Sequence, residues 1–357
     1  MKTKLAVITL ASASAFNTYA QSAVTLYGSI DGGIRSLSNA STAGNIIKLS
    51  SNGEYYNNRI GVKGVESLGN GTNVHFQLES GFNTGTGALD NDRNLAFNRY
   101  SIIGFDGAFG SIDIGRMPSL SCKIISYYEP FQYRYVHIIP IADATAGNAN
   151  GNTFGNPFGT LGGTRFNNDI QYIAKIGGLM VGAEYSFGES NGSTKSGAAQ
   201  AIAIGYMSGP FAIGGAYTRQ KPDVSTDGSG DFQSQDQITF GGAYQLGEVR
   251  VSGGYILNKA DSALPTIDYA SKNVWIGANY NVTPRVGLTL GYYFTSLEVS
   301  SHEVAHRNFF ILGATYALSN RTNLYADIDH AELTGIAAQD FNRTNQRGIS
   351  LGINHTF

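Results

Sequence analysis

The last nine residues, Ile349-Ser350-Leu351-Gly352-Ile353-Asn354-His355-Thr356-Phe357, alternate along the chain and stop on an aromatic side chain. A strand points successive side chains to opposite faces. Ile349, Leu351, Ile353 and Phe357 therefore line one face, and Ser350, Asn354 and Thr356 the other. A water-soluble strand has little use for an apolar row that ends on an exposed ring, whereas a barrel in lipid uses such a ring as an interfacial anchor. The ending predicts a membrane-embedded β-barrel.

The other end agrees. Lys2 and Lys4 precede the apolar run Leu5 to Ala11, which gives way to small residues and reaches Thr18-Tyr19-Ala20. A basic head, a short apolar core and small residues before the cut make a secretory signal peptide. Residues 1–20 are expected to be cleaved, leaving 21–357 as one barrel domain of 357 − 20 = 337 residues. Losing two lysines takes the formal charge from −2 to −2 − 2 = −4. An exported, acidic chain is not a nucleic-acid binder.

Composition narrows the class further. The chain carries 46 Gly, 21 Tyr, 19 Phe and only 8 Pro, and its apolar positions come in short alternating segments. No later stretch approaches the ~18 consecutive apolar residues of a helical span. The single cysteine, Cys122, excludes an internal disulfide framework and is read as an inert packing residue. Closure by hydrogen bonds replaces covalent staples in a barrel.

Segments of about ten residues are separated alternately by tight and long connections. The tight ones are Leu68-Gly69-Asn70-Gly71, Gly107-Ala108-Phe109-Gly110, Ile176-Gly177-Gly178, Ser208-Gly209-Pro210, Leu246-Gly247-Glu248, Val282-Thr283-Pro284 and Leu318-Ser319-Asn320. Gly, Asn and Pro suit short turns there. The long ones are polar, among them Ser36 to Tyr56, Asn83 to Ala96, Lys221 to Gln235 and Glu332 to Asn345. Seven tight turns and eight long loops give about sixteen antiparallel strands.

Facing follows from parity. Phe211, Ile213, Gly215 and Tyr217 share one face, as do Val286, Leu288, Leu290, Tyr292 and Phe294. Ser29 and Asp31, His75, Gln77 and Glu79, and Arg250, Ser252 and Asn258 lie on opposite faces. A Lys or Arg facing lipid at mid-bilayer costs ~2–4 kcal/mol, so the charged face is the lumen. Tyr185, Phe187, Trp275, Tyr280 and Tyr316 fall near the ends of apolar rows, where aromatic girdles belong.

Met117 to about Thr164 is the longest interval without alternation, and nearly fifty residues of loop needs a reason. A sixteen-stranded barrel encloses a channel too wide to sieve small solutes. This loop is expected to fold inward and constrict it.

In its motifs and their order the mature chain resembles the trimeric general porins of Gram-negative bacteria, of the betaproteobacterial and neisserial type. The carriers are Ser22-Ala23-Val24-Thr25-Leu26-Tyr27-Gly28, Asn58-Arg59-Ile60-Gly61-Val62-Lys63-Gly64-Val65-Glu66-Ser67-Leu68-Gly69-Asn70-Gly71 and Phe76-Gln77-Leu78-Glu79-Ser80-Gly81-Phe82. They continue with Asn98-Arg99-Tyr100, Phe109-Gly110-Ser111-Ile112-Asp113-Ile114-Gly115-Arg116, Thr164-Arg165-Phe166-Asn167-Asn168 and the terminal Phe357, which resembles an assembly signal for the barrel-insertion machinery. The resemblance implies a homotrimer in the outer membrane, surrounded by its lipids, with one pore per barrel for ions and small hydrophilic solutes. It implies no cofactor, no metal and no enzymatic activity. The alternative is a substrate-specific uptake channel or an adhesin-like binding barrel.

The same resemblance implies a constriction in which wall arginines face acids. By matching position the basic residues are Arg59, Arg99, Arg116 and Arg165 with Lys63 beside them, and the acids are Glu79 on the wall and Glu129 and Asp143 on the loop. Parity places Arg59 with Lys63 and Arg165 with Asp169 on the inner face, while Arg116 falls in phase with the outward Ile112 and Ile114 unless a bulge at Gly115 re-aims it. The trimer strip is expected along the outward residues of Val24 to Ile34, with Gly28 and Gly33, and of Ile349 to Phe357.

Three motifs invite other chemistry. His302-Glu303-Val304-Ala305-His306 matches a zinc-protease signature, which needs a helix; here it reads as loop residues in solvent. Gly188-Glu189-Ser190-Asn191-Gly192 matches a nucleophile elbow but lies in a Gly/Ser-rich hairpin loop. Asp327, Asp329 and His330 need no role beyond facing a wet lumen. The aromatic run Tyr127 to Tyr135, with Arg134, is expected to pack on the barrel wall, with a sugar-stacking track as the alternative.

Overall fold

Strands that alternate apolar and polar side chains bury one face and leave backbone edges to satisfy, and closing the sheet removes those edges. The computed structural model describes residues 23–41, 44–50, 55–91, 95–132, 165–221, 232–262, 268–335, 338 and 344–357. The signal segment 1–20, the loop from 133 to 164 and with it Asp143 lie outside the described residues.

The strands are β1 (Ala23–Ser41), β2 (Gly44–Ser50), β3 (Arg59–Gly69), β4 (Thr72–Gly81), β5 (Tyr100–Gly107) and β6 (Gly110–Pro118). A short helix α1 (Leu120–Ile125) and a 3-10 turn (Ser126–Tyr128) follow. Then come β7 (Arg165–Ile176), β8 (Leu179–Ser186), β9 (Ala199–Ser208), β10 (Phe211–Gln220), β11 (Phe232–Leu246) and β12 (Val249–Ser262). The last five are β13 (Asp268–Thr283), β14 (Val286–Val299), β15 (His302–Ala317), β16 (Thr322–Gly335) and β17 (Asn345–Thr356).

From β3 onward each strand pairs antiparallel with the next, and β17 returns to β1 in a register running from Ser29↔Thr356 to Leu37↔Gly348. The other edge of β1 is shared: Ala23 to Ser29 pair with β3, and Gly33 onward with β2. β2 and β3 thus make one interrupted stave, and 17 − 1 = 16 staves close the barrel. The chain's end completes the seam. Phe357 N donates to Gly28 O at 3.1 Å, Gly28 N to Phe357 O at 3.0 Å, and the ring occupies the space a Cβ on Gly28 would need. The tight turns stand where expected; between β3 and β4, Asn70 (φ 51) and Gly71 (φ 74) both take the left-handed conformation of a primed hairpin turn.

The alternation divides inside from outside as read. Ile349, Leu351 and Ile353 are 55, 59 and 45% exposed on the outer wall, while Ser350 and Asn354 are buried inside. Four readings need correction. The segment Ser36 to Tyr56 is largely strand among its described residues, because β1 runs to Ser41 and pairs with β2, Gly44–Ser50. The His302-to-His306 motif begins β15, since a span needs about 9–11 residues and β15 has 16, so its first residues overhang the apolar band. Trp275 is no girdle residue: its neighbours Val274 and Ile276 face out, so it faces in and is 3% exposed. Gly33 is not on the outer strip either, because the Tyr325 hydroxyl lies against it inside.

The loop after β6 is also more ordered than its sequence suggests. Ser119 caps α1 by accepting from Cys122 N at 3.2 Å. Leu120, Ile124, Ile125, Tyr128 and Phe131 then form a core with inward residues of the wall, Ala201, Ala203, Ala212, Ile256, Trp275 and Phe309 among them.

Candidate functional site

The four arginines stand at one end of β3, β5, β6 and β7. Arg59 opens β3, Arg99 precedes β5, Arg116 lies near the end of β6, and Arg165 opens β7. Their guanidiniums stay charged at any working pH, so the arrangement needs acids. Glu79 on β4 supplies the first: Arg99 Nε donates to its Oε1 at 2.6 Å, and Arg59 Nε stands 3.9 Å from its Oε2. The Tyr27 hydroxyl donates to the same Oε2 at 2.8 Å, fixing the carboxylate from below. The Arg59 guanidinium also lies over the Tyr56 ring, 4.1 Å from its centre.

Arg165 and Arg116 are oriented by backbone. Arg165 Nε donates to Arg99 O at 3.0 Å, and Arg116 Nε to Asn98 O at 2.6 Å, with Arg116 Nη1 on Asn167 Oδ1 at 2.6 Å. Gly115 (φ 133) and a register shift between Gly115 and Met117 turn Arg116 off the outward Ile112–Ile114 row. That is the bulge which parity required.

Asp90, which sequence reasoning missed, stands 4.0 Å from Arg99 Nη1 and accepts from Asn98 Nδ2. It sits in the connection between β4 and β5, where no period marks facing. Tyr27 was legible by parity with Ser29 and Asp31. Among the described residues Arg59 and Arg99 are thus set against Glu79 and Asp90, while Arg116 and Arg165 donate to the carbonyls of Asn98 and Arg99.

The remaining residues stand apart. Lys63 is four residues farther along β3 toward the tight turn, its ammonium 5.2 Å from the Tyr27 ring centre. Glu129 is fully buried across the lumen, where the Tyr293 hydroxyl donates to it. The loop is anchored nearer the arginines by a second polar group. Leu120 N donates to Glu184 Oε2 at 3.1 Å, Gln171 Nε2 to Glu184 Oε1 at 2.6 Å and to Pro118 O at 3.1 Å, and Lys123 donates to Gln171. Burial pulls the Lys123 amine below its ordinary range, against the opposing attraction of Asp113, Glu184 and Asp169.

The other motifs stand apart from the arginines. Asp329 is held by Arg35, Nη1 to Oδ2 at 2.7 Å and Nη2 to Oδ1 at 3.0 Å, across the seam. His306 Nδ1 meets Glu303 Oε1 at 2.7 Å, and among the described residues no group of three or more His, Cys, Asp or Glu could hold a metal ion. Ser190 of the elbow-like motif lies in the hairpin between β8 and β9.

Comparison with known proteins agrees with the barrel fold. The family model for Gram-negative porins matches residues 5–335. An outer membrane porin protein of Bordetella pertussis is 26% identical over the whole of both chains. Outer membrane porin protein 32 of Delftia acidovorans is 25% identical over 100% of this chain and 99% of its own. Among solved structures, an anion-selective porin from Comamonas acidovorans superposes with a TM-score of 0.77 at 22% identity, covering 94% of this chain and 100% of that one. OmpT of Vibrio cholerae, solved in a trimer form, gives a TM-score of 0.66 at 16% identity over 94% of this chain and 99% of that one.

Proposed function

The chain belongs to the Gram-negative porin family, and from that premise we propose that Arg59, Arg99, Arg116 and Arg165, with Glu79 and Asp90, form the selectivity filter of its pore. The protein is an outer-membrane channel for passive diffusion of small solutes. The filter reading rests on one observation: four permanent cations gather at one end of β3, β5, β6 and β7, with Glu79 and Asp90 paired to Arg59 and Arg99 among the described residues. Like charges ~4 Å apart repel by ~4 kcal/mol at an effective dielectric of about 20, so such a group draws mobile anions into its water. The anion-selective relative from Comamonas acidovorans supports the same direction.

Salt screens charges beyond ~8–10 Å at physiological strength. The anion preference is therefore expected at low salt and fades as salt rises. Reversal potentials across a KCl gradient test it. Arg59→Ser with Arg165→Ser should move the potential toward zero; a cation-selective wild type, or a double mutant with unchanged selectivity, defeats the reading.

The channel has no enzymatic role in this reading, and three copies assemble through the outward strip of Val24, Leu26, Gly28 and Ile30 beside Ile349 to Phe357. The trimer form of the Vibrio cholerae protein supports that assembly. Phe357 is the feature offered to the insertion machinery, and Phe357→Ala should lower the amount in the outer membrane without altering the conductance of inserted channels.

A further inference from the structure

Three donors converge on the buried carboxylate of Glu79, and they do not share it equally. Arg99 Nε holds Oε1 at 2.6 Å and the Tyr27 hydroxyl holds Oε2 at 2.8 Å. Arg59 Nε is left 3.9 Å from that same Oε2, beyond hydrogen-bond reach. Its guanidinium rests on the Tyr56 ring instead, and among the described residues no carboxylate accepts a hydrogen bond from it.

The tyrosine is aimed from two sides. Gln77 Nε2 donates to the Tyr27 oxygen at 2.6 Å. An amide nitrogen only donates and a phenol carries one proton, so that proton is left for Glu79. The Lys63 ammonium lies over the ring, 5.2 Å from its centre, and favours the same placement. Tyr27 stands on β1 and Glu79 on β4, with β3 between them. Tyr27 pairs with Gly61 and Gly61 with Glu79, so the three form one cross-strand row. The ring crosses β3 because position 61 has no side chain: a Cβ there would stand 2.6 Å from both Cζ and the hydroxyl oxygen of Tyr27.

We propose that Tyr27 is a positioning residue of the pore's selectivity: its hydroxyl occupies Oε2 of Glu79, keeps the carboxylate on Arg99, and so leaves Arg59 open to the anions that pass. The inference rests on the arginine filter and adds which arginine stays available and what holds it so. Without the hydroxyl, Oε2 loses its donor, and Arg59 is the cation placed to replace it. Charge-assisted bonds are the strong ones, so the pair closes and one cation of the filter is neutralised by the wall.

The test uses the intact channel in planar bilayers, with reversal potentials read across a KCl gradient at low salt. Tyr27→Phe should lower the chloride-to-potassium permeability ratio roughly twofold or more, as Arg59 closes on its carboxylate. Gly61→Ala keeps the hydroxyl but displaces the ring, and should lower the ratio in the same direction. In channels that already carry Glu79→Gln, Arg59 has no charge to close on, and adding Tyr27→Phe should change nothing. An anion-selective wild type matched by inserted Tyr27→Phe and Gly61→Ala channels overturns the role of Tyr27 and leaves the filter standing. An equal fall with and without the Glu79 carboxylate overturns it too, because Tyr27 then acts through the wall and not through Glu79. A wild type without anion preference removes the filter itself.

Discussion

The two sides of the lumen wall obey one alternation and use it for opposite ends. Along β3 to β7 the inward positions are charged or amide-bearing: Arg59, His75, Gln77, Glu79, Gln171. His75 there bridges two acids, with Nδ1 3.0 Å from Asp106 Oδ1 and Nε2 2.7 Å from Asp113 Oδ1. Along β9 to β15 the inward positions that meet the loop are small or apolar, with Ala201, Ala203, Ala212, Ala216, Gly241, Trp275 and Ile311, while Thr218, Gln237, Asn258 and Asn273 keep other buried inward positions polar. The first side keeps water and ions; the second receives the loop as a solid core does. The polar-in rule for barrels therefore gives way where the loop packs on the wall.

The fit on the dry side comes from missing side chains. A Cβ on Gly241 would stand 2.6 Å from Tyr128 Cβ, one on Gly182 would stand 3.1 Å from Leu120 Cδ2, and one on Gly313 would stand 2.9 Å from the Phe131 ring. These glycines lie on three different strands, β8, β11 and β15, beneath successive parts of one segment. They let a helix and an aromatic turn approach the backbone of the wall.

The comparison breaks most sharply at Gly241. Its three nearest neighbours all belong to Tyr128, so Gly241→Leu overpacks the loop and not the sheet, at about 3 kcal/mol. Urea unfolding should record the loss, and single-channel conductance should rise as the loop leaves the wall; unchanged conductance would mean that the segment does not narrow the pore. On the wet side, Glu79→Gln removes the carboxylate shared by Arg59, Arg99 and Tyr27. Charge-assisted bonds contribute about 2 kcal/mol, yet the main outcome is electrical: the reversal potential should move further toward anions, with the conductance of the loop-closed channel retained. A shift toward cations would contradict the arginine reading.

A smaller effect tests the far anchor. Tyr293→Phe removes the hydroxyl that donates to Glu129 and should cost about 1 kcal/mol in unfolding experiments. The smallest perturbation uses chemistry already present. Burial pushes the Cys122 thiol above its ordinary range, more than the nearby Arg165, Lys123 and Arg99 pull it down. Because the thiolate is the reacting form, iodoacetamide at pH 8 should label folded wild type slowly and Gly241→Leu faster. Equal rates in the two proteins would show that the helix stays seated.

Much of this was legible from residues alone. Period two, the turn residues and Phe357 determined the barrel, its number of staves and the inward set of Arg59, Glu79 and Arg165, because strand facing is a local property of the backbone. Parity even required the bulge at Gly115 if Arg116 was to join the others. Sequence could not place Trp275, whose ring suits a membrane girdle or a packed interior equally; only the neighbours Val274 and Ile276, fixed outward by the closed sheet, decide it. Nor could it find Asp90 beside Arg99, or the glycines beneath Leu120, Tyr128 and Phe131, because those contacts join segments far apart in the chain. Local alternation sets which way a side chain points. What it meets there is decided by closure of the ring, which brings the ends of the chain together and lays one loop across several strands.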